Sequence, residues 1–177
     1  MELLLNDDIS KRFFKSKESS DHSNSNQSHK KYMIDEIIYT IILNGKESDG
    51  KYSLVEITFP SEKEKEIPLH KHAKEDIMIY IIEGEFLIQQ ENKNINGVPG
   101  MVLKLEKNIE HSYKKVGDDM GKLLILFEPA GFENYFRDLN SLPSSSPINE
   151  DLRILGKDDD RLRLHLLEKN YGWTFIK

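Results

Sequence analysis

The sequence predicts an all-β domain, an antiparallel sandwich or barrel, with helices packed on it at the C-terminal side. Three observations carry that prediction. From Tyr32 to about residue 128 the chain is a series of short apolar runs separated at regular intervals by Gly, Asn, Asp and Pro. No helical segment falls between those runs, which is the pattern of an antiparallel sandwich or barrel. After Pro129 the period changes, and Phe132, Tyr135, Phe136 and Leu139 fall at helical spacing.

Taken in order, residues 1–31 read as a mobile, low-complexity tail. Between Lys15 and Lys31 the chain is almost wholly Ser, Asn, Asp, Gln, His, Glu and Lys. Such a segment buries too little surface to offset the entropy of ordering, so His22 and His29 read as solvated residues. The barrel is expected over 32–128. Its strands fall at 37–43, ended by Asn44-Gly45, and at 52–59, ended by Pro60. The His-x-His segment follows, then 77–82 with a turn at Glu83-Gly84, then 86–90. Residues 91–94 and 96–97 read as turns. Strands at 101–105, 111–116 and 123–127 complete the set. A helical extension is expected over 129–177: an aromatic-striped helix over 131–139, a Pro- and Ser-rich linker at 142–148, and a second helix from about Asp159. In that helix Leu162, Leu166 and Tyr171 can cover apolar surface, and His165 reads as a surface or packing residue. Residues 173–176 read as a packed extended piece.

A chain of 177 residues is long enough for one domain with a real core and appendages. Its formal net charge of -6, with Lys and Glu interleaved as in 61–66, offers no basic stripe for nucleic acid. The absence of cysteine removes disulfides, thiolate chemistry and Cys-based metal sites together. No run approaches the apolar length of a membrane span, and the acidic start does not read as a signal peptide, so a cytoplasmic location is expected.

The stretch from Pro68 to Glu85 is where chemistry is expected. Side chains alternate along an extended chain, so His70 and His72 point the same way. Neutral imidazole is the commonest metal ligand, and two rings on one strand face can grip one ion. From Gly100 an alternating strand and a tight polar turn lead to His111. In a jelly roll the two hairpins are neighbours, which brings His111 toward His70 and His72. Three imidazoles would hold a divalent ion (Fe, Mn, Ni, Cu or Zn) and leave positions open for water, substrate or dioxygen. Tyr113 shares the parity of His111 and is a candidate catalytic hydroxyl, or equally a buried tyrosine satisfied by backbone. Ile77, Ile79 and Ile81 share one face and Met101, Leu103 and Leu105 another. Both sets serve as core, and those nearest the histidines shape a small apolar pocket for a small-molecule ligand.

Residues 68–85 and 100–111 resemble the two signature motifs of the cupin superfamily. From about Tyr32 to Leu139 the chain is similar to the small quercetin-dioxygenase-like cupins. Pro68-Leu-His-Lys-His72, Tyr80 to Glu85, Gly100 to His111 and Glu128 to Phe136 carry the likeness. The resemblance implies a double-stranded β-helix, the cupin jelly-roll barrel, often dimeric, with a divalent metal held by three histidines and one glutamate. Counting back from Gly84, that glutamate falls on Ile77, which cannot coordinate. Glu75 and Asp76, just before it, are candidate metal ligands if a local slip or bulge brings them in. Three histidines alone suffice in some cupin oxygenases. In the second motif the usual proline and glycine positions hold Glu106 and Asn108, and asparagine tolerates a left-handed turn. The charged loop around Glu64 replaces the glycine that often precedes His-x-His.

The resulting expectation is a cupin that binds a divalent metal through His70, His72 and His111. If catalytic, it would be a dioxygenase-like oxidoreductase acting on a small organic or aromatic molecule, as a possible homodimer. Ile77 motivates the alternative, a metal-free ligand-binding module. A sugar isomerase or epimerase is disfavoured, because no acid–base pair stands out beyond His111 and Tyr113.

Overall fold

A computed structural model describes residues 29–141 and 158–176, with side chains from residue 165 onward in the second span. Residues 1–28 of the tail expected over 1–31, the linker at 142–148 and the side chain of Leu162 lie outside the described residues. In chain order the strands are β1 (Lys30–Ile34), β2 (Ile37–Leu43), β3 (Ser53–Phe59), β4 (Lys65–His72), β5 (Asp76–Glu83) and β6 (Glu85–Gln90). There follow β7 (Lys93–Gly97), β8 (Val102–Leu105), β9 (His111–Val116), β10 (Gly121–Glu128), the helices α1 (Glu133–Asn140) and α2 (Asp158–Tyr171), and β11 (Trp173–Phe175). They form two antiparallel sheets, ordered β1-β2-β3-β10-β5-β8 and β11-β4-β9-β6-β7. This is a jelly roll, as the resemblance implies.

The core follows from strict alternation. Val55, Ile57 and Phe59 on β3, Ile77, Ile79 and Ile81 on β5, and Leu123, Ile125 and Phe127 on β10 all face the second sheet. That sheet answers with Ile67, Phe86, Ile88 and Tyr113. Burying such β-branched and aromatic side chains is the main favourable term in folding. Lys115 also faces inward and is fully buried. Its ammonium is satisfied by the carbonyls of Gly117 and Asp119 at 2.7 and 2.9 Å, which closes the β9–β10 turn. Gly84 links β5 to β6 at φ +80°, and a Cβ there would meet Met120 O at 2.7 Å, so only glycine fits.

Two local readings of the sequence are corrected. Residues 93–97, all but Ile95 read as turn, form β7, paired with β6 from Phe86↔Gly97 to Gln90↔Lys93. As an edge strand it is largely solvated, so Asn and Lys are tolerated, and the turn shrinks to Glu91 and Asn92. Gly97 serves close packing, because a Cβ there would lie 2.5 Å from Ile81 Cδ1. In addition, residues 30–34, of which 30 and 31 read as tail and none as strand, form β1, paired with β2 from Lys30↔Ile41 to Ile34↔Ile37.

Helix α1 buries the predicted stripe, and Phe136 stacks on Tyr39 with ring centroids 4.4 Å apart. Helix α2 ends at Tyr171, and Gly172, at φ +69°, turns the chain into β11. The Tyr171 hydroxyl donates to Asp138 Oδ2 at 2.5 Å, tying α2 to α1. No helix among the described residues is long and apolar enough to cross a membrane.

Candidate metal centre

His70 and His72 face the interior because β4 slips. Its register with β9 shifts between Ile67 and His70, at Pro68, which has no amide hydrogen to give the ladder. Beyond the slip, His70 lies directly opposite His111, the first residue of β9. Asn108, at φ +66°, makes the left-handed turn before β9 and donates its amide to His72 O at 2.7 Å. The β8–β9 turn is thereby pinned to the strand that carries the first two imidazoles.

The three rings converge. Centroids are 4.3 Å apart for His70 and His111, 5.3 Å for His70 and His72, and 5.7 Å for His72 and His111. One ring nitrogen from each lies within 4.8 Å of the other two, and the residues are 0, 3 and 1% exposed for His70, His72 and His111. His70 Nδ1 sits 2.6 Å from Pro68 O, and His111 Nδ1 sits 2.8 Å from Ile109 O. A carbonyl only accepts, so each Nδ1 carries the hydrogen and each Nε2 keeps its lone pair. Both Nε2 atoms are buried without a hydrogen-bond partner among the described residues. Buried polar atoms are rarely left so, and this pair is what a metal ion would satisfy.

Electrostatics point the same way. Burial lowers all three imidazoles, His111 to about 4, and the neighbouring rings push His70 further down. At neutral pH the rings are uncharged and their lone pairs available, as metal ligation requires.

The other residues singled out in the sequence take different places. Glu75, 3% exposed, lies in the link between β4 and β5, with Oε2 3.6 Å from His72 Nδ1. Asp76 Oδ1 accepts the Lys107 amide at 2.8 Å, which fastens the start of β5 to the β8–β9 turn. Ile77 is 2% exposed and points inward between its cross-strand partners Leu105 and Phe127. Tyr113 is buried with its ring 6.2 Å from that of His111, and desolvation raises its phenol above the usual range. His165 is exposed, as read.

An aromatic wall beside the histidines was not legible. Strand β11 adds to β4 with Trp173 opposite His72 and Phe175 opposite His70. The Trp173 ring lies 5.3 Å from His70 and 6.2 Å from His72, and Phe132, just before α1, lies 4.3 Å from His72. Trp173 is itself only 9% exposed. The one signal available was the period-two spacing of Trp173 and Phe175, which says strand without saying where it docks.

A family model described as "Cupin domain" matches residues 59–127, which contain all three histidines. The chain carries a cupin domain. Solved structures with the cupin fold agree. A structure of KdgF from Halomonas sp. is similar at 18% identity and TM-score 0.52, over 60% of this chain and 94% of that one. A predicted oxalate decarboxylase from Thermotoga maritima is similar at 18% identity and TM-score 0.51, over 57% and 91%. An RmlC-like cupin from Shewanella frigidimarina is similar at 20% identity and TM-score 0.50, over 63% and 93%. At these identities the likeness is one of fold. No curated protein matches the sequence. Phe132, Trp173 and Phe175 fall outside the matched cupin residues, so the wall is built by sequence that follows them.

Proposed function

We propose that this cupin is a metalloprotein that binds one divalent ion through His70, His72 and His111 and acts there on a small organic molecule, in the manner of a dioxygenase-like oxidoreductase. The observation that carries the reading is the pair of buried, unpartnered Nε2 atoms on His70 and His111, each oriented by its own backbone-bonded Nδ1. A bound ion would supply Lewis acidity and, if redox-active, a path for electrons from the substrate to O2. The chain's own residues do the rest. Three neutral imidazoles leave the ion's double charge uncompensated, because Ile77 contributes no carboxylate, so an anionic oxygen donor is the favoured partner ligand. Trp173, Phe132 and Phe127 pack on the rings and keep water from them.

Metal analysis of the purified protein tests this. About one equivalent of ion per chain is expected in the wild type and a near-complete loss in His72→Ala. No metal in either would end the reading. The second reading, a metal-free binding module, is favoured by Ile77. It requires a melting temperature unmoved by chelator and raised by a small molecule alone.

The reading includes a homodimer through the outer face of the six-stranded sheet. There Tyr80 pairs across strands with Leu124 and Val102, and Tyr80, Ile82 and Val102 are all exposed. Sedimentation equilibrium should return twice the chain mass, and a monomer at micromolar concentration would remove this part.

A further inference from the structure

We propose that Glu75 is the positioning residue of the centre. Its carboxylate receives the Nδ1–H of His72 and so turns that ring's Nε2 toward the ion. The inference rests on the metal-binding reading above and concerns how this chain manages with isoleucine at position 77.

Two of the three rings are oriented identically. His70 and His111 each give Nδ1–H to the carbonyl two residues earlier in the chain. His72 has no such bond. Its Nδ1 is buried and lacks a partner among the described residues, and facing it is Glu75 Oε2, buried and equally unpartnered. The two atoms are 3.6 Å apart, longer than a hydrogen bond by a few tenths of an ångström. Burying two such groups without a partner is unfavourable, so closing that gap is favoured. The closed contact is the carboxylate–histidine–metal arrangement, in which the outer oxygen fixes the tautomer and raises the basicity of the inner nitrogen.

Geometry favours this role over direct ligation. The nitrogens within 4.8 Å of one another belong to the three histidines, and no Glu75 oxygen joins that group. The carboxylate reaches His72 from the β4–β5 link, three residues on, at the Nδ1 edge of the ring. Asp76 is engaged elsewhere, its Oδ1 accepting the Lys107 amide, and it does not join the converging group.

The test uses the full chain loaded with Co2+, with affinity from chelator competition and coordination from the visible spectrum. Glu75→Ala should bind about 10–100-fold more weakly, with band intensities unchanged. Glu75→Gln, whose side-chain carbonyl still accepts Nδ1–H, should recover part of that loss. Unchanged affinity in both variants overturns the proposal, and so does a change of band intensity that marks a lost ligand. Imidazole 15N shifts of the Zn2+-loaded wild type give a reading that needs no variant. His72 protonated on Nδ1 is expected, and protonation on Nε2 refutes the role. A wild type that binds no Co2+ would instead strike the metal reading itself, which separates the two failures.

Discussion

Replacing Ile77 by glutamate should make the stability of the barrel depend on metal. Ile77 is almost wholly buried between Leu105 and Phe127, and Phe127 lies 5.7 Å from the His72 ring. In chelator, a carboxyl group there has apolar neighbours on both adjoining strands and must either ionise unpaired or stay protonated. Removing the isoleucine and burying the acid together should cost about 3–5 kcal/mol. For a protein of this size that is a fall in melting temperature of about 6–20 °C. In Zn2+ or Co2+ the same carboxylate occupies the position at which the cupin resemblance puts the fourth ligand, and binding to the native state alone restores stability by mass action. A thermal melt with and without metal reads both halves. A variant as stable as wild type in chelator, or one that metal fails to rescue, would show that position 77 does not look onto the centre.

The second large effect is expected at Trp173, the only tryptophan in the chain. Its ring lies against both His70 and His72, so a paramagnetic ion held by the three imidazoles should quench its emission almost completely at one equivalent of Cu2+ or Co2+. Trp173→Ala removes a side chain that also packs on Tyr135 and Phe175, with centroids 4.6 Å away in each case. That cavity should cost about 3–5 kcal/mol. It should also speed metal uptake and chemical modification of His70 and His72, which Trp173 shields from solvent. Emission unmoved by a bound paramagnetic ion would place that ion elsewhere, and unaltered uptake in the variant would mean that access runs by another path.

The two-sheet jelly roll was legible because its evidence is local. Period-two alternation in β3, β5, β8 and β10 and the turn residues at Gly84 and Asn108 state their conformations without reference to the rest of the fold. The convergence of His70, His72 and His111 was readable one step further, since strand parity aligns the first pair and the jelly roll returns the third. Strand β7 was missed because an edge strand needs only one apolar contact, here Ile95, and composition then resembles a turn. The role of Glu75 was hidden for a different reason. Spacing puts it near the ligands, but whether it faces the ion or the back of His72 depends on side-chain orientation. The aromatic wall was hidden by distance along the chain, since nothing near Trp173 encodes that it docks on β4.

That docking sets a schedule for assembly. Residues 173–175 emerge from the ribosome about 100 residues after the strand they cover. At a synthesis rate of about 5–20 residues per second, the outer edge of β4 stays unpaired in the nascent chain for about 5–20 s. During that interval the imidazole-bearing strand presents free backbone donors and acceptors to any other extended segment nearby. A chain halted before Trp173 would keep that edge permanently open, and would be prone to intermolecular strand pairing even with the cupin domain otherwise intact.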